Sequence, residues 1–264
     1  MNEFLKNKNV LITGASSGLG RELALQIAAN GGNPILVARN TEALKETARQ
    51  VELEYEKKCA YYPCDLSDFE AITHLVEKVV SEQQNVTVLI NCAGFGLFEL
   101  AEETPFDVTK EMFDVNVLGL IKLTQELIPV LRNNRRSHIL NIASQAGKMA
   151  TPKSAVYAAT KFAVLGYSNA LRMELADQRT NVTTVNPGPI ATEFFDRADQ
   201  TGNYLKNVGR FALKPKKVAK KTVKIIGTEK REVNLPCSMS IVSKLYQVSP
   251  VLIEKLGKKA FLKK

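Results

Sequence analysis

The sequence predicts an α/β fold, with one doubly wound parallel sheet covered by helices on both faces in three layers. Three observations point there. Short apolar strand candidates alternate with helical stretches from Val10 onward, and this alternation calls for a parallel sheet with right-handed crossovers. Thr13 to Gly20 place three glycines where the first strand turns into the first helix. The chain has 264 residues, 45% of them hydrophobic, which suffices for a substantial core in a single domain.

The elements follow in order. Val10-Leu11-Ile12 reads as a short buried strand, Gly14 to Gly20 as a turn, and Arg21 to Asn30 as a helix built on alanine, leucine and isoleucine. Ile35-Leu36-Val37 gives a second strand, Thr41 to Lys57 a helix, and Ala60-Tyr61-Tyr62 a third strand just before Asp65. Ser67 to Gln83 is helical, with Ser67 as N-cap and Glu70 in the capping-box position. Val86 to Ile90 forms the fourth strand, about Lys110 to Arg132 a long helix, and Ile139 to Ile142 the fifth strand. A helix over about Ser154 to Asp177 and a strand over Val182 to Val185 complete the alternation.

From Pro187 to Leu213 the pattern breaks, with Pro187, Pro189, Gly202 and Gly209 in a segment too long for an ordinary connection. Such segments often serve as lids or pocket walls. A helix near Pro215 to Ile226 and a short strand around Glu232 to Asn234 end the core. Beyond Pro236, the apolar Ile241, Val242, Leu245, Leu252 and Leu256 and the basic Lys244, Lys255, Lys258 and Lys259 predict amphipathic helices docked on the core. The expected organisation is a domain over residues 1–235, with an irregular loop at about 188–213, and a basic helical extension over 236–264.

Composition narrows the chemistry. No stretch reaches the roughly 18 apolar residues of a membrane span, and Met1 to Lys6 lack the apolar core of a secretory signal. A cytoplasmic protein is expected. Cys59, Cys64, Cys92 and Cys237 show no Cys-x-x-Cys spacing, and His74 and His138 lie far apart, so neither a metal site nor histidine-based catalysis is predicted. The cysteines read as buried thiols. The net charge of +9 is uneven, because residues 205–264 carry 16 basic and 3 acidic residues. A solvated face is the ordinary meaning of such a bias, with an anionic substrate, a membrane surface or nucleic acid as alternatives.

Two constellations carry chemistry. Tyr157 and Lys161 are four residues apart, so on a helix a phenol and an ammonium share one face. A phenol titrates near pH 10, and proton transfer near neutrality asks for about 3 to 4 kcal/mol of help, which a neighbouring cation supplies. Ser144 follows the apolar run His138 to Ala143, a buried strand that ends beside a hydroxyl. The glycine turn lets backbone N–H groups meet a pyrophosphate at the positive end of a helix, which predicts a dinucleotide ligand. Where dinucleotide folds place a ribose-binding acid, Ala38 stands instead, followed by Arg39, whose guanidinium favours NADP(H) over NAD(H).

Taken together, these motifs resemble the classical short-chain dehydrogenase/reductase family over about residues 7–234. Thr13 to Gly20 matches its glycine motif, Asp65 beside Leu66 its adenine-pocket acid, and Asn91-Cys92-Ala93-Gly94 its Asn-Asn-Ala-Gly signature, with Cys92 in place of the second Asn. Pro187-Gly188-Pro189-Ile190-Ala191-Thr192 matches its final signature. The resemblance implies a Rossmann-type NADP-binding catalytic domain whose substrate loop is the 188–213 segment. Cofactor contacts are implied at Gly14, Ser16, Ser17, Gly18, Leu19 and Gly20 of the turn and at Arg39, Asp65 and Leu66 near the adenosine. Asn91, Ala93, Gly94, Tyr157, Lys161, Pro187, Gly188, Ile190 and Thr192 are implied around the rest of the molecule. The implied catalytic set is Asn116, Ser144, Tyr157 and Lys161. In it Tyr157 gives a proton to a carbonyl oxygen, Ser144 orients that oxygen, Lys161 binds the nicotinamide ribose and acidifies Tyr157, and Asn116 helps hold a proton-relaying water. A homodimer or homotetramer is implied through the helices at about Lys110 to Arg132 and Ser154 to Asp177.

Phe95, Leu97, Phe98, Met149, Phe194, Phe195, Tyr204 and Phe211 are expected to line an apolar cleft for hydrophobic carbonyl compounds or alcohols. A catalytically idle NADP(H)-binding regulator or scaffold is the rival reading, against which the intact four-residue set argues. A basic tail that contacts a membrane surface is compatible with either. Nucleic-acid binding is not expected, because no recognition motif accompanies the charge.

Overall fold

The computed structural model of the chain describes residues 2–83, 85–199, 202, 209 and 212–261, with side chains through Lys255. The strands are β1 Asn9–Thr13, β2 Asn33–Ala38, β3 Ala60–Pro63, β4 Val86–Asn91, β5 Ser137–Ile142, β6 Thr180–Pro187 and β7 Glu232–Leu235. They pair in parallel in the order β3-β2-β1-β4-β5-β6-β7. The winding direction reverses between β1 and β4, and in open α/β sheets ligands bind at the carboxyl ends of the strands beside such a switch point. The helices are α1 Gly18–Ala29, α2 Thr41–Tyr55, α3 Phe69–Gln83, α4 Phe106–Phe113, α5 Leu120–Arg132, α6 Ala155–Glu174, α7 Phe194–Ala198, α8 Pro215–Lys224, α9 Cys237–Val248 and α10 Pro250–Phe261.

Alternation along the strands builds the layers. Val10 and Ile12 face one side with Leu36, Val88, Leu140 and Val185, buried against Leu23 and Ile27 of α1 and Val218 and Val223 of α8. Leu11 faces the other side with Ile35, Leu89, Ile139 and Val182, against Ile72 of α3, Leu127 of α5 and Leu171 of α6. A strand covered on both faces requires this split, which is why its sequence reads as an unbroken apolar run. The doubly wound three-layer sheet expected from the sequence is the one observed.

Several boundaries differ from expectation, three of them for physical reasons visible in the structure. Helix α3 starts at Phe69 and is capped by Asp68, whose carboxylate accepts the N–H groups of Glu70 at 3.1 Å and Ala71 at 3.0 Å. Ser67 does not cap it, because its hydroxyl donates to Asp65 Oδ1 at 2.8 Å. The long helix expected at Lys110 to Arg132 begins at Phe106 and is interrupted by a π-helical segment, Asp114–Gly119, between α4 and α5. Here the helix presses on the loop after β3, so closely that a Cβ on Gly119 would lie 2.2 Å from the Leu66 carbonyl oxygen. Helix α6 ends at Glu174, and a 3-10 turn, Ala176–Gln178, hands the chain to β6 through Arg179 at φ 56°.

Cys237 is exposed, unlike the buried thiols Cys59 and Cys64, because it opens α9 at the molecular surface. His138 is fully buried within the sheet, where its Nε2 meets Thr183 Oγ1 at 2.8 Å and its Nδ1 accepts the Gly227 N–H at 2.9 Å. Burial pushes it down to about 3, so it remains neutral at physiological pH. Among the described residues no helix is long and apolar enough to cross a membrane.

Candidate active site

The glycine turn joins β1 to α1 at the switch point. Gly14 holds φ +66°, and a Cβ there would lie 2.9 Å from Ala93 Cα, while one on Gly20 would lie 2.1 Å from the Gly14 carbonyl oxygen. Neither position accepts a side chain, and the loop gains a bare backbone surface. Thr13 Oγ1 accepts the N–H groups of Cys92 and Ala93, each at 3.0 Å, which locks the turn to the end of β4. Ser17 stands at the N-cap of α1 in extended conformation with no side-chain cap bond. The first-turn N–H groups therefore need another partner, and an anion suits the positive helix end. Ser16 is partly buried in the turn and Leu19 is packed beneath it. Thr192 faces the turn from the other side, 3.3 Å from where a Gly18 Cβ would stand.

Tyr157 and Lys161 sit on successive turns of α6, 8% and 5% exposed. Lys161 Nζ lies 5.7 Å from the Tyr157 ring centroid and donates to the Ile142 carbonyl oxygen at 3.1 Å. Burial lowers Lys161 from 10.5 to about 8, with the nearby Cys92 opposing that shift. Burial also pushes the Cys92 thiol up to about 12, so it stays protonated where the resemblance led one to expect a second Asn. Asn116 lies in the π segment at 1% exposure. Its Nδ2 donates to the Phe95 carbonyl oxygen at 2.8 Å and its Oδ1 accepts the Phe95 N–H at 3.0 Å. Nδ2 also reaches Thr160 Oγ1 at 3.2 Å, and that hydroxyl donates to the Tyr157 carbonyl oxygen at 2.8 Å. A Cβ on Gly94 would fall 2.9 Å from Asn116 Oδ1 and 3.5 Å from Lys161 Nζ, so three of the sequence-named residues meet at one point. Ser144 follows β5 and caps the turn Gln145–Gly147, accepting the Ala146 N–H at 3.0 Å, which leaves its own proton for donation.

Aromatic rings cover this point. Phe98 and Phe194 lie 5.8 and 5.7 Å from the Tyr157 ring, and Phe195 packs 5.4 Å from Phe194. Leu97 and Met112 complete the cluster. Gly96 makes room, because a Cβ there would stand 2.8 Å from Tyr157 Cδ2. Helix α7 is tied down over the rings, since Phe98 donates its N–H to the Ala198 carbonyl oxygen at 2.7 Å. Arg197 stacks 3.6 Å from the Phe95 ring and pairs with Glu111 of α4 at 2.6 Å. Met149 is partly buried just after the Ser144 turn. Tyr204 and Phe211 lie outside the described residues.

The remaining sequence-named residues divide. Arg39 is 60% exposed and lies 3.8 Å from Asp65 Oδ2 and 3.9 Å from Glu111 Oε1, two carboxylates against which a 2′-phosphate must compete. Burial raises the Asp65 carboxyl, but hydrogen bonds from Ser67 and the Arg39 charge outweigh it and hold the group below the usual range. Leu66 is buried. Asn91 is 2% exposed and its amide donates to Thr124 Oγ1 and Asn141 Oδ1, a scaffold within the protein interior. Gly188 donates its N–H to the Leu235 carbonyl oxygen at 2.6 Å, and Ile190 bridges to Leu213, so both ends of the Pro187 to Leu213 segment are pinned.

Sequence reasoning missed several supports. Gln145 Nε2 donates to the Asn186 carbonyl oxygen at 2.8 Å, and both the Gln145 and Asn186 amides reach Asn234 Oδ1, at 3.4 and 3.0 Å. Asn234 in turn donates to Glu232 Oε1 at 2.9 Å, and Glu232 pairs with Lys148. No local pattern marks residues that meet from such separations. Thr160 was findable, because it lies three residues after Tyr157 and thus near the same helix face.

Comparison with known proteins agrees with this architecture. The family described as short chain dehydrogenase matches residues 8–203. An NADP-dependent 3-hydroxy acid dehydrogenase of Schizosaccharomyces pombe is 35% identical over 192 residues, 72% of this chain and 74% of that protein. Dehydrogenase/reductase SDR family member 7B of Xenopus tropicalis is 32% identical over 238 residues, 87% of this chain and 77% of that protein. Among solved structures, a short-chain dehydrogenase/reductase of Burkholderia phymatum in complex with NAD superposes with a TM-score of 0.87 over 94% of this chain and 95% of that one. At 23% identity this last likeness concerns the fold alone. The chain belongs to the short-chain dehydrogenase family and is an oxidoreductase with a nucleotide-binding Rossmann-like fold.

Proposed function

We propose that the chain interconverts an apolar carbonyl compound and its alcohol with NADP(H) as cofactor, using Asn116, Ser144, Tyr157 and Lys161. The observation that carries this reading is the convergence of a buried phenol, a buried ammonium and the Gly94 backbone next to a bare glycine turn. The cradle fits a dinucleotide, because the positions nearest the turn exclude side chains and the α1 N-terminus lacks a side-chain cap. Gly14, Gly18 and Gly20 would hold the pyrophosphate, Asp65 the adenine, Lys161 the nicotinamide ribose and Thr192 the carboxamide side. When bound, the nicotinamide supplies or accepts the hydride.

The chain's own residues manage the proton and the charge. Tyr157 gives its phenolic proton to the carbonyl oxygen in reduction and takes it back in oxidation. Ser144 donates a hydrogen bond to the same oxygen and stabilises the charge that develops there. The Lys161 ammonium, next to the ring, stabilises the tyrosinate left behind. Asn116 keeps the loop after β4 at its distance through Phe95, so that Gly94 stays open beside Lys161. Phe98, Phe194 and Leu97 give the substrate side an apolar wall. The catalytic domain would then be residues 1–235, with the segment at about 188–213 as its substrate loop. Assembly into a homodimer or homotetramer is part of the same reading.

Screening NADPH oxidation against a panel of carbonyl compounds, and NADP reduction against alcohols, tests the proposal. Tyr157→Phe should lower turnover at least about a thousandfold while NADPH still binds. Undiminished turnover in that variant would remove Tyr157 from the mechanism. Folded, cofactor-bound wild type that turns over nothing in the panel would assign the chain to the regulator class.

A further inference from the structure

Among the described residues, large apolar side chains exposed to solvent are scattered singly over most of the chain, as at Leu53, Phe106 and Met173, but cluster in sequence on the two C-terminal helices. Ile241, Leu245 and Val248 of α9 are 65%, 53% and 85% exposed, and Val251 and Leu252 of α10 are 62% and 54% exposed. Ile241, Leu245 and Val248 follow the i, i+4, i+7 spacing and so form one stripe along α9. The opposite face carries the buried Ser243 and Met239, whose Sδ sits 2.9 Å from where a Gly188 Cβ would be. Helix α9 therefore meets the protein through Met239 and Ser243 and leaves its larger apolar stripe in water. The sequence led one to expect the reverse, with the stripe docked on the core. A contiguous apolar surface of this kind marks an interaction site.

Charge identifies the occupant. Residues 237–264 contain six lysines, at 244, 255, 258, 259, 263 and 264, against one acid, Glu254. Lys244 and Lys255 are exposed on the same two helices as the stripe, and Glu254 is occupied by the Tyr246 hydroxyl at 3.0 Å. A second copy seated on this face would bring two such lysine sets together, whereas an anionic surface neutralises them. Each helix has 12 residues, too short for the roughly 20 that a bilayer span needs but suited to lying in its interface. We propose that α9 and α10 dock on the surface of a bilayer containing anionic lipid, with the apolar stripe at the acyl boundary and the lysines among the headgroups. This goes beyond the proposed reaction and does not depend on it.

Full-length protein is cosedimented with vesicles of phosphatidylcholine alone, and with about 30% phosphatidylglycerol added, at low and high salt. Partitioning should rise at least tenfold on the anionic vesicles and fall back at high salt, since each lysine near such a surface contributes about fivefold. The double variant Leu245→Glu, Val248→Glu should bind at least about tenfold less while its melting temperature and NADPH affinity hold. Lys244→Glu with Lys255→Glu should lose the preference for anionic vesicles and provides the same check should the first variant fold poorly. Equal or absent binding to both vesicle types overturns the proposal. So does a dimer in sedimentation that the Leu245 and Val248 changes dissociate while lipid binding stays the same, which would assign the face to a second copy.

Discussion

Lys161 is the residue at which the proposed catalytic role and stability pull in opposite directions. Its ammonium is 5% exposed, and burial lowers it from 10.5 to about 8, so the charge proposed to serve Tyr157 is held against its own desolvation. The sign follows from linkage. Below pH 8 both folded and unfolded chains carry the proton, and the folded state bears the full penalty. Between 8 and 10.5 the folded state releases the proton while the unfolded state keeps it, so wild-type stability rises with pH across that window. Lys161→Met should therefore stabilise the cofactor-free protein at pH 7 by up to about 3 kcal/mol, with the gain fading towards pH 10.5, while turnover is lost. Denaturant titrations at the two pH values check this. A variant less stable than wild type at pH 7 would mean that the hydrogen bond from Lys161 to the Ile142 carbonyl outweighs desolvation.

At the scale of elements, two of the four residues proposed for catalysis lie where regular structure ends or is broken. Ser144 ends β5 and caps a single turn, Asn116 occupies the π segment between α4 and α5, and only Tyr157 and Lys161 sit on an unbroken helix. This explains what was legible in the sequence. The Tyr157 to Lys161 spacing and the glycine turn are local patterns that survive into the fold, and each strand core was placed to within a few residues by its apolar run. The π segment was not legible, because no local pattern marks it; it lies where Gly119 meets the Leu66 carbonyl, a tertiary contact. The network under Ser144 was hidden for the same reason, since Gln145 and Asn234 are 89 residues apart. That network ties the Ser144 turn to β7. Replacing Asn234 with Leu would remove the acceptor of the Asn186 amide and the longer of the two bonds that Gln145 Nε2 makes, and a buried amide left unpaired costs about 1 to 3 kcal/mol. Asn234→Leu should lower stability by about 2 kcal/mol and kcat/KM by about tenfold with NADPH affinity unchanged. Melting curves and steady-state kinetics measure the two effects, and intact kinetics in a destabilised variant would restrict the network to a structural role.

At the scale of the molecule, the sequence distribution of charge bears on cofactor choice. The basic excess belongs to residues 205–264, while the Arg39 end of the cleft is bordered by the carboxylates of Asp65 and Glu111. The proposed preference for a 2′-phosphate would rest on one guanidinium that is 60% exposed and shared with two acids. An exposed group of this kind gives a modest preference, because water and salt screen it. NADPH should bind about tenfold more tightly than NADH, a difference of about 1.4 kcal/mol. At equal saturating concentrations it should raise the melting temperature about 3 to 5 °C further than NADH does, given the scaling for a chain of this size. Arg39→Ala should abolish the difference by lowering the NADPH shift to the NADH value and leaving the NADH shift in place. High salt should narrow the gap in wild type and have no such effect in the variant. Equal shifts in wild type would mean that Asp65 and Glu111 hold Arg39 too closely for a phosphate to compete, and that the pocket does not distinguish the two cofactors.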